Sequence, residues 1–299
     1  TNPTSTTMFK SIISAKTRNV IVFGFHPSAQ KCSTAAATVM RDAAIKAGAP
    51  ENCIQWIETP SMAATSALMN HPSVATILAT GGNSMVKAAY SCGKPAMGVG
   101  AGNVPAYIHK SANIKQAVND VVLSKAFDNG MICASEQAAI IDKEIYDETI
   151  NEFIRLKSYL ATNEEKEKLS TYLFGYKSYQ EGVQNAKLNP AVVGQSAHWI
   201  AKQAGFGIPE ETSIILVECN EVGVNEPLTR EKLSPVLAIL KSNEDEHGIT
   251  LAAQMVEFNG LGHSAAIHCK EKALADHFGD IVKAMRIIWN SPSTFGGIG

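Results

Sequence analysis

Short apolar runs of strand length alternate with helix-length segments along the first hundred residues, and this alternation restricts the chain to few folds. Asn19-Val20-Ile21-Val22-Phe23-Gly24 is an apolar run between turn formers, as expected of a strand buried on both faces. Residues 28–47 follow as an Ala-rich helical stretch with Ala36, Val39, Met40, Ala43 and Ala47 on one face. The spacing then predicts strands over 53–57, 74–79 and 95–99, with helices over 61–69 and 83–91. Such a succession means a parallel sheet with right-handed crossovers, an α/β fold.

After Gly100-Ala101-Gly102-Asn103 the character changes. A helix is expected over 114–123, a glycine-bearing loop at Asp128-Asn129-Gly130 and a strand over 137–141. A domain boundary near Gly102 gives two domains, 1–102 and 103–299. Helices are expected over 145–159 and 164–172, then a polar stretch to about Pro190 to which the pattern assigns no element. Strands follow over 213–217, 236–240 and 264–268, with helices between them and no internal repeat.

Lys plus Arg (26) nearly balance Asp plus Glu (28), so the formal charge of -2 creates no field that gathers nucleic acid or an anionic membrane. A small-molecule ligand is expected. The six cysteines, Cys32, Cys53, Cys92, Cys133, Cys219 and Cys269, lie far apart with no CxxC pair, which suggests neither a disulfide framework nor a zinc site. Reduced thiols in a cytoplasmic protein fit this pattern. Apolar runs are broken well short of the roughly 20 residues of a membrane helix. The opening Thr1-Asn2-Pro3 and the closing Gly296-Gly297-Ile298-Gly299 read as the cut ends of a longer protein.

Thr80-Gly81-Gly82-Asn83 directly follows an expected strand and opens a helix, where free backbone N–H groups and a helix dipole can receive a phosphate. An ordinary tight βα turn has the same sequence. Cys133 sits just past a loop and just before a strand, a place where N–H groups can lower a thiol pKa and hold an oxyanion. Inert packing is the usual fate of a free cysteine. His263, between Gly260-Leu261-Gly262 and an expected strand, is placed at a loop end pointing away from the core, free to exchange a proton or to sit hydrogen-bonded at the surface. Glu231, in Glu231-Lys232-Leu233-Ser234-Pro235, reads as a first-turn helix carboxylate or a ribose-binding group. Solvated charge is the expectation for His109, Glu164-Glu165 and Glu244-Asp245-Glu246.

These segments together resemble the aldehyde dehydrogenase superfamily, most closely the coenzyme-A-acylating half of the bifunctional aldehyde-alcohol dehydrogenases. The resemblance is carried in order along the chain by Asn2-Pro3-Thr4-Ser5-Thr6, Ala79-Thr80-Gly81-Gly82, Met85 to Tyr90, Gly98-Val99-Gly100-Ala101-Gly102-Asn103, Phe127 to Gln137, Glu231 to Pro235 and Gly260 to His263. It implies a Rossmann-like NAD domain over 1–102 and a catalytic α/β domain over 103–299, truncated at both ends relative to a whole family member. It implies Cys133 as nucleophile, Asn2 as side-chain amide of the oxyanion hole and His263 as the group that helps deprotonate or position a thiol. Glu231 would bind the nicotinamide ribose, and Gly81, Gly82, Asn83, Val99 and Gly100 would border the cofactor.

One departure is informative. Relatives that release free acids carry a glutamate that activates water at the position matched here by Val99. Without it, an acyl-enzyme should wait for a thiolate. The resemblance therefore implies acetaldehyde, NAD and coenzyme A as substrates, acetyl-CoA as product, no metal, and a homo-oligomer that forms filaments when full length. The alternatives are a hydrolytic aldehyde dehydrogenase with another base, and a non-catalytic assembly module.

Overall fold

The computed structural model describes residues 2–297; Thr1, Ile298 and Gly299 of the two end stretches lie outside the described residues. The chain forms two compact units, Thr1–Thr80 with Ser84–Gly98, and Gly81–Asn83 with Val99–Gly299.

In the first unit α1 (Pro3–Lys16) starts on Pro3, whose missing N–H would have no helical partner at that position. Strand β1 (Ile21–Phe23) pairs in parallel with β2 (Ile54–Trp56), with α2 (Gln30–Lys46) between them in the chain. Helix α3 (Met62–Asn70) is capped by Ser61, whose Oγ accepts the Ala64 N–H at 3.0 Å. Strand β3 (Ile77–Thr80) lies beside β4 (Ala96–Val99), and α4 (Asn83–Ser91) connects them. The strands thus form two separate pairs, and the small core is Phe23, Ala37 and Ile54. Helix α2 turns a different face inward from the one its pattern suggested: Ser33 and Ala37 are buried and Val39 is 67% exposed. Small residues all around this helix leave too little contrast for the sequence to mark the buried side.

The second unit is built on a seven-stranded parallel sheet. Its strands are β5 (Val104–Ile108), β6 (Glu136–Asp142), β7 (Tyr159–Leu160), β8 (Ile215–Glu218), β9 (Val236–Ser242), β10 (Ser264–His268) and β11 (Arg286–Trp289). They are ordered β11-β10-β5-β6-β9-β8-β7. Ala106, Ile108, Ala139 and Ile141 pack under α5 (Ile114–Ala126) and α6 (Tyr146–Arg155). Tyr107, Ala138 and Ile140 face the other layer, α7 (Asn163–Phe174), α8 (Ala197–Ala204), α9 (Asp245–Asn259) and α10 (Lys272–Ile281). Period-two alternation with both faces apolar is what a doubly covered sheet requires. Among the described residues no helix is long and apolar enough to cross a membrane.

Candidate active site

The site residues of the second unit gather at the amino-terminal edge of this sheet. Gly102 precedes β5, Cys133 precedes β6, Glu231 precedes β9, His263 directly precedes β10 and Arg286 opens β11. Gly102 is their meeting point. Its N–H donates to Glu231 Oε1 at 2.7 Å. A Cβ built there would overlap the carbonyl oxygen of Cys133 and lie 3.2 Å from His263 Cε1. Beside it the buried Asn103 donates Nδ2 to the carbonyls of Thr229 and Met255, both at 2.9 Å, which fastens β5 to the Glu231 loop and to α9.

The Cys133 loop leaves α5 through a left-handed turn, with φ 51° at Asp128 and Asn129 and 67° at Gly130. Asn and Asp tolerate this region and Gly favours it. At Gly130 a Cβ would also sit 2.5 Å from the Ser234 carbonyl oxygen, so the Cys133 and Glu231 loops touch through bare backbone. Asn129 Nδ2 donates to Gly194 O at 2.9 Å. From the far end of the chain the Ser293 N–H donates to Glu136 Oε1 at 3.0 Å, and the Ser293 hydroxyl donates to Ala134 O. Burial first, and the Glu231 carboxylate second, push the Cys133 thiol up, while Arg286 pulls it down.

His263 does not point out from a loop end as its glycine-rich approach suggested. It is 1% exposed, with the Gly102 backbone against its ring. Burial first, then Arg286, hold its imidazole down to about 4. Glu231 is in no helix, since β9 starts only at Val236. Burial raises its carboxyl, and the Gly102 N–H draws it back.

Gly81, Gly82 and Asn83 form an exposed turn at the head of α4, with open space where a Cβ at Gly82 would stand. The Gly81 N–H donates to Val99 O at 3.3 Å. Asn83 Oδ1 accepts the Ala101 N–H at 3.2 Å and leaves no room for a Cβ at Gly100. The structure thus joins Gly81, Asn83, Val99 and Gly100 in one pair of loops. Asn2 belongs to the first unit, at the head of α1, where its Nδ2 donates to Ser5 Oγ at 3.3 Å.

A family model described as the aldehyde dehydrogenase family matches residues 2–173, more than half of the chain. The chain belongs to the aldehyde dehydrogenase family. It is 68% identical over 299 residues to an aldehyde-alcohol dehydrogenase of Streptococcus pneumoniae serotype 4, all of this chain against 34% of that one. The chain therefore spans about a third of the length of that curated relative. Among solved structures it is similar to an acetylating aldehyde dehydrogenase from Geobacillus thermoglucosidasius, with TM-score 0.92 and 45% identity over all of this chain and 64% of that one. It is also similar to a Rhodopseudomonas palustris propionaldehyde dehydrogenase with bound CoA and an acylated cysteine, with TM-score 0.87 and 29% identity over 99% of this chain and 65% of that one.

Several charged groups of this aldehyde dehydrogenase chain escaped the sequence reading. Lys125 and Lys232 are fully buried behind the site, where a charge pattern offers no signal. Lys232 Nζ donates to the carbonyls of Gln137, Leu228 and Arg230, while Lys125 Nζ has Gln137 Oε1 at 3.2 Å. In the first unit the Lys10 ammonium, held down to about 8 by burial, donates to Leu78 O and Thr80 Oγ1 just before the glycine turn. His109, expected in solvent, is buried at the carboxyl-terminal end of β5. Its Nε2 lies 3.2 Å from Asp245 and 3.8 Å from Asp142. Glu165 likewise serves structure, closing a capping box with Thr162 at the head of α7.

Proposed function

We propose that this chain carries the catalytic machinery of an NAD-dependent, coenzyme-A-acylating aldehyde dehydrogenase that interconverts acetaldehyde and acetyl-CoA. The observation that carries the reading is the convergence on Gly102: the backbone of Cys133, the carboxylate of Glu231 and the ring of His263 all meet one glycine. The Cys133 thiolate adds to the aldehyde carbon, and the Cys133 N–H, with the Asn2 amide that the resemblance assigns, holds the thiohemiacetal oxyanion. The residues present fit a dinucleotide: the Gly81-Gly82 turn opens the head of a nine-residue helix, and Glu231 offers a carboxylate to a ribose. When bound, NAD supplies the hydride acceptor. What remains on Cys133 is a thioester, and the relative with bound CoA and an acylated cysteine supports coenzyme A as its acceptor.

Water competes poorly here because Val99 offers no carboxylate. The hydrolytic reading has one observation in its favour, the electrostatic coupling of Glu231 to Cys133, but Glu231 Oε1 is already taken by the Gly102 N–H. The resemblance further supports a homo-oligomer. The test of the nucleophile is to incubate the full-length protein with acetaldehyde and NAD without coenzyme A, quench, and map the peptides by mass. An acetyl group on Cys133 is expected, with loss of several orders of magnitude of turnover in Cys133→Ala. Near-normal turnover of that variant contradicts the proposal.

A further inference from the structure

We infer that Arg286 and Ser264 fix His263 as the tautomer protonated on Nε2, which makes it a neutral hydrogen-bond donor to a thiolate and not the base that deprotonates the incoming thiol. The inference rests on the thioester chemistry proposed above and assigns His263 its part in it.

Arg286 Nε lies 3.1 Å from Ser264 Oγ, and a guanidinium only donates, so the direction of this bond is settled. Arg286 is itself held, with Nη1 on Gly296 O at 2.7 Å and its backbone in register with Ser264 across β10 and β11. Ser264 Oγ also lies 3.2 Å from His263 Nδ1. Both residues are 1% exposed. The hydroxyl has one hydrogen, and with the Arg286 N–H occupying one lone pair, His263 Nδ1 is the remaining polar atom beside it among the described residues, able to accept that hydrogen. If Nδ1 instead donated to Oγ, the serine hydrogen would be left buried without an acceptor, and a second polar group would join His263 Nε2 in lacking a partner. The first arrangement gives the Arg286 Nε–H, the Ser264 hydroxyl and His263 Nδ1 a partner each, and leaves His263 Nε2 without one among the described residues. Nε2 is then a buried N–H with no acceptor among the described residues.

The basicity of the ring agrees with this geometry. Burial first, and the charge of Arg286 on β11 second, hold His263 to about 4. A free thiol has a pKa of about 8.5, so transfer of its proton to this imidazole is uphill by more than roughly four orders of magnitude. Donation of a hydrogen bond from neutral Nε2–H needs no such transfer. The thiol of coenzyme A therefore gives its proton to solvent. Its sulfur forms a bond to the thioester carbon, and the carbonyl π pair moves onto oxygen. When the carbonyl re-forms, the bond to Cys133 sulfur breaks and Cys133 leaves as thiolate. No proton passes through His263.

The experiment uses the full-length protein with acetaldehyde, NAD and coenzyme A, separating the single-turnover NADH burst from steady-state acetyl-CoA formation. His263→Gln keeps an amide N–H but cannot act as a base. It should stay within about tenfold of wild type in acyl transfer, while His263→Ala falls by about 10²–10³-fold with its burst intact. In Ser264→Ala the ring is freed to carry its proton on either nitrogen, and acyl transfer should fall about tenfold with the burst again intact. His263→Gln as slow as His263→Ala overturns the inference, as does Ser264→Ala at or above the wild-type rate, the result expected of a base. A wild type that forms NADH but no acetyl-CoA overturns the acylating reading itself, and the inference with it.

Discussion

Gly102 leaves no room for even one methyl group, since that group would overlap the Cys133 carbonyl. Gly102→Ala is expected to fold but to displace the Cys133 loop, and if Cys133 is the nucleophile as proposed, a misplacement of about 1 Å costs on the order of 10²-fold in rate. The check is turnover per folded molecule, with circular dichroism as the control; unchanged turnover would mean the loop adapts freely. A glycine in such a motif reads only as permissive backbone, so its part in joining Cys133, Glu231 and His263 emerges in three dimensions. The motifs around Cys133 and His263 mark both as candidates, and the structure brings both to Gly102, with His263 buried where its glycines suggest a loop end. Arg286, lone in a segment assigned no strand, gave no sign that its guanidinium would reach Ser264.

Among the elements, β6, β10 and α4 fall close to where periodicity puts them, because their patterns are uninterrupted. Central strand β5 was missed, since it carries Pro105, which a central strand normally excludes. The ladder tolerates it because the register between β5 and β6 slips between Val104 and Pro105. Strand β7 begins at the last residue of an expected helix over 145–159; the observed helix ends at Arg155, and the left-handed Lys157, φ 62°, follows it with no glycine to announce the break. At the opposite end of the sheet Asp142 receives the Tyr107 hydroxyl at 2.9 Å and the Lys110 N–H at 2.8 Å. Asp142→Ala strands both donors and should cost about 2–5 kcal/mol of stability. Folded protein should keep its specific activity, since this cluster lies away from Cys133. Urea midpoints together with activity per folded molecule check this, and an unshifted midpoint contradicts it.

For the whole molecule, acidity is the condition that sets stability against the site. His263 and His268 are both 1% exposed, and burial holds each to about 4. Their folded pKa values lie below the unfolded value of about 6.5, so the unfolded chain binds more protons and stability is lost as pH falls from about 6.5 towards 4. Each histidine contributes up to about 3 kcal/mol to that loss. Denaturation of wild type and His268→Gln across this window should show a shallower decline in the variant, and parallel curves would contradict the assignment. In the proposed mechanism the chemistry turns on what removes the acyl group from Cys133, with Val99 supplying no base for water. The direct measurement is NADH, acetate and acetyl-CoA formed by the full-length protein from acetaldehyde and NAD, with and without coenzyme A. Without coenzyme A, one NADH per Cys133 followed by a stall is expected, and added coenzyme A should restore turnover with stoichiometric acetyl-CoA. Full-rate acetate release in the absence of coenzyme A would contradict the acylating mechanism.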